Sequence, residues 1–220
     1  MQFIAIIVGK TYNEDNEIKS VIEYGKVRIK ETFDKGKVAM LVRENDTIVL
    51  VEGEQFKYYL NKRTGLFSKL ILNGEDQLMQ PMEVNVWIVS TDADMSKKLE
   101  GDCGRYDKNV VLAYHTSFEK EENKVVIQSS VSLVSDATQR ILDMQTVWVV
   151  DAEGMIFFDM KAKRSPEYPI LRSFGIHMHL AEEQNLVNCY KVVKEEQFRL
   201  DQKKLKFSMK MIPYTKMEQV

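Results

Sequence analysis

The sequence predicts an all-β fold, a large antiparallel β-sandwich. Three observations carry that prediction. Short apolar runs recur at about 8–12-residue spacing, the rhythm of sandwiches rather than of βαβ units. Turn chemistry separates them: Arg43-Glu44-Asn45-Asp46, Asn73-Gly74, Glu119-Lys120-Glu121-Glu122-Asn123 and Asp151-Ala152-Glu153-Gly154. Finally, Val125, Ile127, Ser129, Val131 and Leu133 repeat at every second residue, as a strand with one buried face requires.

The elements follow in order. Met1 to Val8 is β-branched and strand-like, Thr11 to Asn16 reads as a polar turn, and Val27 to Phe33 is a candidate partner strand. Val38 to Val42, Thr47 to Val51 and Gln55 to Leu60 are three short runs. After the loop ending in Gly65, Leu66 to Leu72 continues as a strand with Leu66, Ser68, Leu70 and Leu72 expected on one face. Asn73-Gly74 is the strongest turn signal, because both residues tolerate the left-handed region of a type I′ turn.

Val84 to Val89 reads as a strand around Trp87, and the polar stretch Ser90 to Gly104 as a loop with room for one short helix. Val110 to Phe118 and Lys124 to Val134 form a hairpin, as do Arg140 to Val150 and Met155 to Lys163. Leu171 to Leu180, Asn185 to Val193 and Leu205 to Pro213 complete the set. Lys161-Ala162-Lys163-Arg164 is a basic cluster after a strand, expected to be a solvated edge that blocks strand addition.

Bulk properties exclude several classes. The 220 residues carry 31 basic and 33 acidic side chains, a formal net charge of -2, so no global attraction to nucleic acid or an anionic membrane is expected. No run approaches the ~20 apolar residues of a membrane span. The apolar run Phe3 to Val8 lacks the flanks of a signal peptide. Two cysteines, Cys103 and Cys189, do not make a disulfide scaffold, so a cytoplasmic setting is expected.

Candidate site residues are few. Asp92 and Asp94 face one side of an extended segment and suit a sugar or cation contact; solvated Asx turns are the plain alternative. His177 and His179 also share a strand face, but a zinc site needs further ligands, so ordinary strand histidines are expected and no metal site is assigned. Trp87 and Trp148 lie inside strand patterns, where core packing is the expected fate, although an indole can also stack on a sugar ring. Phosphate-binding, dinucleotide-binding and nucleophile-elbow motifs do not occur.

One ordered set of residues resembles a known family. Lys62, Thr64, Gly65, Asn73, Gly74, Leu78, Pro81, Met82, Asn85, Trp87, Thr91, Asp92 and Asp94 resemble, in order, the start of the large sandwich that ends family-2 glycoside hydrolases, the β-galactosidases. That family typically carries Trp-Arg-Ala-Pro-Thr-Asp-Asn-Asp; here Trp87-Ile88-Val89-Ser90-Thr91-Asp92-Ala93-Asp94 lacks the Arg, the Pro and the middle Asn. Leu171-Arg172-Ser173-Phe174-Gly175-Ile176 is similar to the family's Pro-Arg-x-Gly strand. Lys191-Val192-Val193-Lys194 replaces a family loop, and Phe207 to Thr215 resembles a segment that normally lies well downstream, which implies an internal deletion.

The resemblance covers about Ala39 to the end. It implies a galactose mutarotase-like sandwich over residues 46–220, with residues 1–45 either a remnant of a preceding immunoglobulin-like domain or N-terminal strands, and a soft boundary in Glu44 to Gly53. It implies a non-catalytic, carbohydrate-binding or structural region, because the family's catalytic carboxylates lie on an upstream barrel. Trp87, Asp92, Asp94, Arg172, His177 and His179 become the expected sugar contacts. No cofactor is expected in this chain; the Mg and Na of the full family enzyme are bound mainly elsewhere. Expected partners are a galactoside-type carbohydrate or the remaining β-galactosidase domains, with homo-oligomerisation open. Two alternatives stand beside this reading: an aldose 1-epimerase-like enzyme using His177 or His179 with a carboxylate, and a plain sandwich interaction module.

Overall fold

The computed structural model describes residues 2–6, 8–12, 18–23, 40–86, 109–135, 140–165, 175–180, 186–190 and 204–214. Every regular element among them is a β-strand. The N-terminal strands are β1 (Gln2–Ile6), β2 (Val8–Tyr12) and β3 (Ile18–Glu23). A meander follows: β4 (Leu41–Glu44), β5 (Ile48–Glu52), β6 (Phe56–Asn61), β7 (Leu66–Leu72) and β8 (Glu75–Asp76). Next come β9 (Glu83–Asn85) and the long strands β10 (Asn109–Lys120), β11 (Lys124–Ser135), β12 (Arg140–Asp151) and β13 (Ile156–Arg164). The last three are β14 (Gly175–His179), β15 (Leu186–Tyr190) and β16 (Lys204–Tyr214).

All ladders are antiparallel. A six-stranded sheet runs β1-β16-β13-β12-β11-β10, and a five-stranded sheet runs β4-β5-β6-β7-β8. A three-stranded sheet, β15-β14-β9, adjoins the second: Leu78 bridges Leu180, the Met79 amide donates to the His179 carbonyl at 2.8 Å, and the Met82 amide to the Phe67 carbonyl at 3.0 Å. The inner faces meet in one core. Val49, Val51, Tyr58, Leu60, Phe67 and Leu70 enter it from the smaller sheet, and Ile127, Leu133, Trp148, Ile156, Phe158 and Met209 from the larger. This is the antiparallel sandwich that the alternating pattern predicts.

Aromatic contacts thread the core. Phe56 stacks on Tyr58, Tyr58 meets Phe67 edge-on, and Phe67 meets Trp148 edge-on at 4.8 Å. Trp148 then stacks on Phe158 at 3.9 Å, and Phe158 meets Phe207 edge-on. The polar tips of two of these rings reach turns of the opposite sheet. The Trp148 indole donates to the Gly65 carbonyl at 2.8 Å, and the Tyr58 hydroxyl donates to the Gly154 carbonyl at 2.8 Å. Burial without such partners would carry a desolvation cost.

The hairpins form where turn chemistry places them. Asn73 (φ 50°) and Gly74 (φ 86°) both take the left-handed region between β7 and β8, as a two-residue type I′ connection demands. Asp151 caps the β12–β13 turn by accepting the amides of Glu153 at 3.1 Å and Met155 at 2.8 Å. The alternation read in Val125 to Leu133 is fully buried on its apolar side.

Three local expectations change. Ser68 does not join Leu66, Leu70 and Leu72 on the core face: the β6–β7 register shifts there, pairing Tyr59 with Lys69 and Leu60 with Phe67. Ser68 is the bulged residue, its hydroxyl donates to the Tyr59 carbonyl at 3.1 Å, and Phe67 is buried instead. The basic cluster Lys161-Ala162-Lys163-Arg164 lies within β13, which is paired on both sides, so it blocks no edge. Thr11 and Tyr12 belong to β2 rather than to a turn, and β2 pairs with β3, a strand that its short length and polar residues conceal. The first strand, β1, pairs with β16. The proposed partner segment Val27 to Phe33 and the loop Ser90 to Gly104 lie outside the described residues.

Candidate functional site

The described site candidates lie on β14. Alternation along Gly175–His179 buries Ile176 and Met178 in the core and turns His177 and His179 to the outer face, where both are half-buried. The two rings converge, with centroids 4.2 Å apart and planes tilted by 47°. Because β14 is the middle strand of its sheet, His177 has a register neighbour on each side: Glu83 of β9 and Asn188 of β15. Glu83, opposed to His177 in this way, projects to the same face. Glu83 is not legible as a site residue in the sequence, because only the non-local pairing of β9 with β14 brings it beside a histidine.

The local electrostatics favour neutral imidazole at His177. Burial pushes its pKa below the ordinary histidine value, the neighbouring His179 pushes in the same direction, and Glu83 offsets part of the shift. The Nε2 atom of His177 is buried without a hydrogen-bond partner. The backbone here is held in place, since the His179 carbonyl accepts from the Met79 amide; Met79 itself is exposed. The patch therefore offers two convergent imidazoles and a neighbouring carboxylate.

The other expected contacts, Trp87, Asp92, Asp94 and Arg172, lie outside the described residues. Trp148 is a core side chain, as its strand pattern predicts. Among the described residues, no group of three or more His, Cys, Asp or Glu is arranged to hold a metal ion. No helix among them is long and apolar enough to cross a membrane.

The family described as the beta galactosidase small chain matches residues 52–199. This chain belongs to that family. The matched span includes the two histidines and runs from the end of β5 past β15, so both faces of the sandwich contribute to it. A β-galactosidase from Actinobacillus pleuropneumoniae is 29% identical over 157 residues. That alignment takes in 71% of this chain but only 16% of the relative's length. Strand β16 lies beyond the matched span, yet it sits inside the six-stranded sheet between β1 and β13.

Proposed function

We propose that this chain acts as a non-catalytic, carbohydrate-binding and structural sandwich module of a β-galactosidase-like glycoside hydrolase, with a galactose mutarotase-like fold. One observation carries the reading: most of the chain aligns with a small fraction of a β-galactosidase. Retaining glycoside hydrolysis needs two carboxyl groups held about 5–5.5 Å apart. In the resemblance that pair belongs to an upstream barrel, so the sandwich alone is not expected to cleave galactosides. The proposed sugar contacts are His177 and His179 on the outer face of β14, with Trp87, Asp92, Asp94 and Arg172. Imidazole can exchange hydrogen bonds with sugar hydroxyls, and the exposed Met79 offers apolar area. The proposed partners are a galactoside and the remaining domains of a larger enzyme, in a cytoplasmic setting.

Amide NMR of the chain, titrated with galactose and lactose, tests the proposal. Dispersed peaks that shift around β14 and β9 support the sugar site. Dispersed peaks that ignore both sugars leave a structural role and remove carbohydrate binding. Mutarotation of galactose faster than buffer would replace the proposal with the epimerase-like alternative, in which a histidine and a carboxylate act as acid and base.

A further inference from the structure

We propose that His177 and His179 form an open two-imidazole chelate for a borderline transition-metal cation, of the Cu2+, Ni2+ or Zn2+ class. This goes beyond the carbohydrate reading and does not depend on it. Residues i and i+2 of one strand share a face, but their side chains ordinarily stand roughly parallel. Here the rings lean together, with centroids 4.2 Å apart and planes tilted rather than stacked. That arrangement crowds two polar rings without giving either a hydrogen bond to the other.

The second observation is the His177 Nε2 atom, buried and without a partner. Buried polar atoms are overwhelmingly satisfied, and an orphan calls for a specific explanation, such as a bound water or ion. A cation shared between the imidazoles would satisfy it. Imidazole nitrogen selects borderline cations over Mg2+ or Ca2+, which require shells of oxygen donors. Glu83, opposite His177 in the β9–β14 register, supplies a nearby negative charge. With no third ligand assembled among the described residues, the remaining coordination positions are left to water or an incoming ligand. Affinity should follow the usual divalent order, with Cu2+ tighter than Ni2+ or Zn2+.

The test uses the tag-free, chelator-stripped chain, titrated with Zn2+, Ni2+ and Cu2+ by calorimetry, with amide NMR as the second readout. One equivalent should bind, and paramagnetic Cu2+ should broaden signals of β14 and β9 before others. His177→Gln and His179→Gln should each weaken binding by about tenfold or more. His115→Gln, which removes the remaining histidine of the three in the chain, should leave it unchanged, as should Cys103→Ser and Cys189→Ser. Glu83→Gln should weaken it by less than either imidazole substitution. The dispersion of each variant's spectrum reports whether it folds; should His177→Gln fail to fold, His179→Gln carries the test. The proposal is overturned by absence of binding, by binding that survives both imidazole substitutions, or by binding that tracks His115 or a thiol.

Discussion

The Trp148 indole donates to the Gly65 carbonyl at 2.8 Å, joining β12 of the large sheet to the turn before β7 of the small one. The Tyr58 hydroxyl makes the reciprocal connection, from β6 to the Gly154 carbonyl in the turn before β13. Each sheet thus inserts an aromatic side chain whose polar tip satisfies a turn of the other. Both accepting glycines have positive φ, 70° at Gly65 and 82° at Gly154. Two tight turns and two buried rings therefore fix how the sheets stack.

Trp148→Phe keeps most of the buried aromatic volume but removes the indole donor, leaving the Gly65 carbonyl without it. We expect a loss of about 1–3 kcal/mol, the usual consequence of stranding a buried polar group. Urea unfolding with an unchanged m-value checks it; a change under a few tenths of a kcal/mol would show that the hydrogen bond does not matter.

Tyr58→Phe should behave similarly, losing about 1–2 kcal/mol. Burial raises the pKa of the Tyr58 phenol, so the hydroxyl remains a donor throughout the physiological range. Since Phe67 touches both Tyr58 and Trp148, the double substitution should depart from additivity, and a double-mutant cycle in urea measures the coupling.

The positive-φ glycines separate backbone strain from crowding. Gly74→Ala meets nothing within 4 Å, so its cost should be the left-handed strain alone, about 1–2 kcal/mol. A Cβ at Gly65 would sit 3.0 Å from Ser129 Cβ and from Val131 Cγ2, and one at Gly154 would sit 2.8 Å from Phe56 Cδ1. Thermal unfolding should therefore rank both Gly65→Ala and Gly154→Ala as more damaging than Gly74→Ala. Equal losses at all three would mean that the turns yield.

Asp151 should make stability depend on pH. Burial pushes its carboxyl up to about 6 from 3.8, although the Met155 and Glu153 amides and Lys210 pull the other way. With the folded pKa above the unfolded value, the folded chain holds the extra proton between those two values. This group's effect on stability is therefore least harmful at the acid end and turns unfavourable as pH rises from about 4 to about 6. Asp151→Asn keeps an accepting oxygen and loses the charge. It should flatten the urea midpoint across that window and raise it at pH 7; a midpoint that falls at pH 7 would show that the ionised carboxylate is the better cap.

Much of the architecture was legible in the amino-acid order. Alternation in Val125 to Leu133 marked the core face of β11, and Asn73-Gly74 marked the β7–β8 hairpin, because both are local consequences of pleat and sterics. The run of residues from Lys62 to Asp94 pointed to the β-galactosidase family, and the matched span 52–199 bears that out. The shared face of His177 and His179 also followed from strand period alone.

Tertiary structure decided what period and propensity do not encode. The bulge at Ser68 moved Phe67 into the core, because cross-strand register depends on the partner strand as well as on the residue itself. Pairing with β16 placed β1 at the edge of the large sheet, and pairing on both sides placed Lys161 and Lys163 inside it. The convergence of the two imidazoles and the orphaned Nε2 of His177 are set by side-chain packing, and the approach of Glu83 exists only once β9 and β14 meet. Sequence sets which residues can face inward and where the chain can turn. Contacts between segments far apart in the chain set which strands are neighbours, and so which side chains can act together.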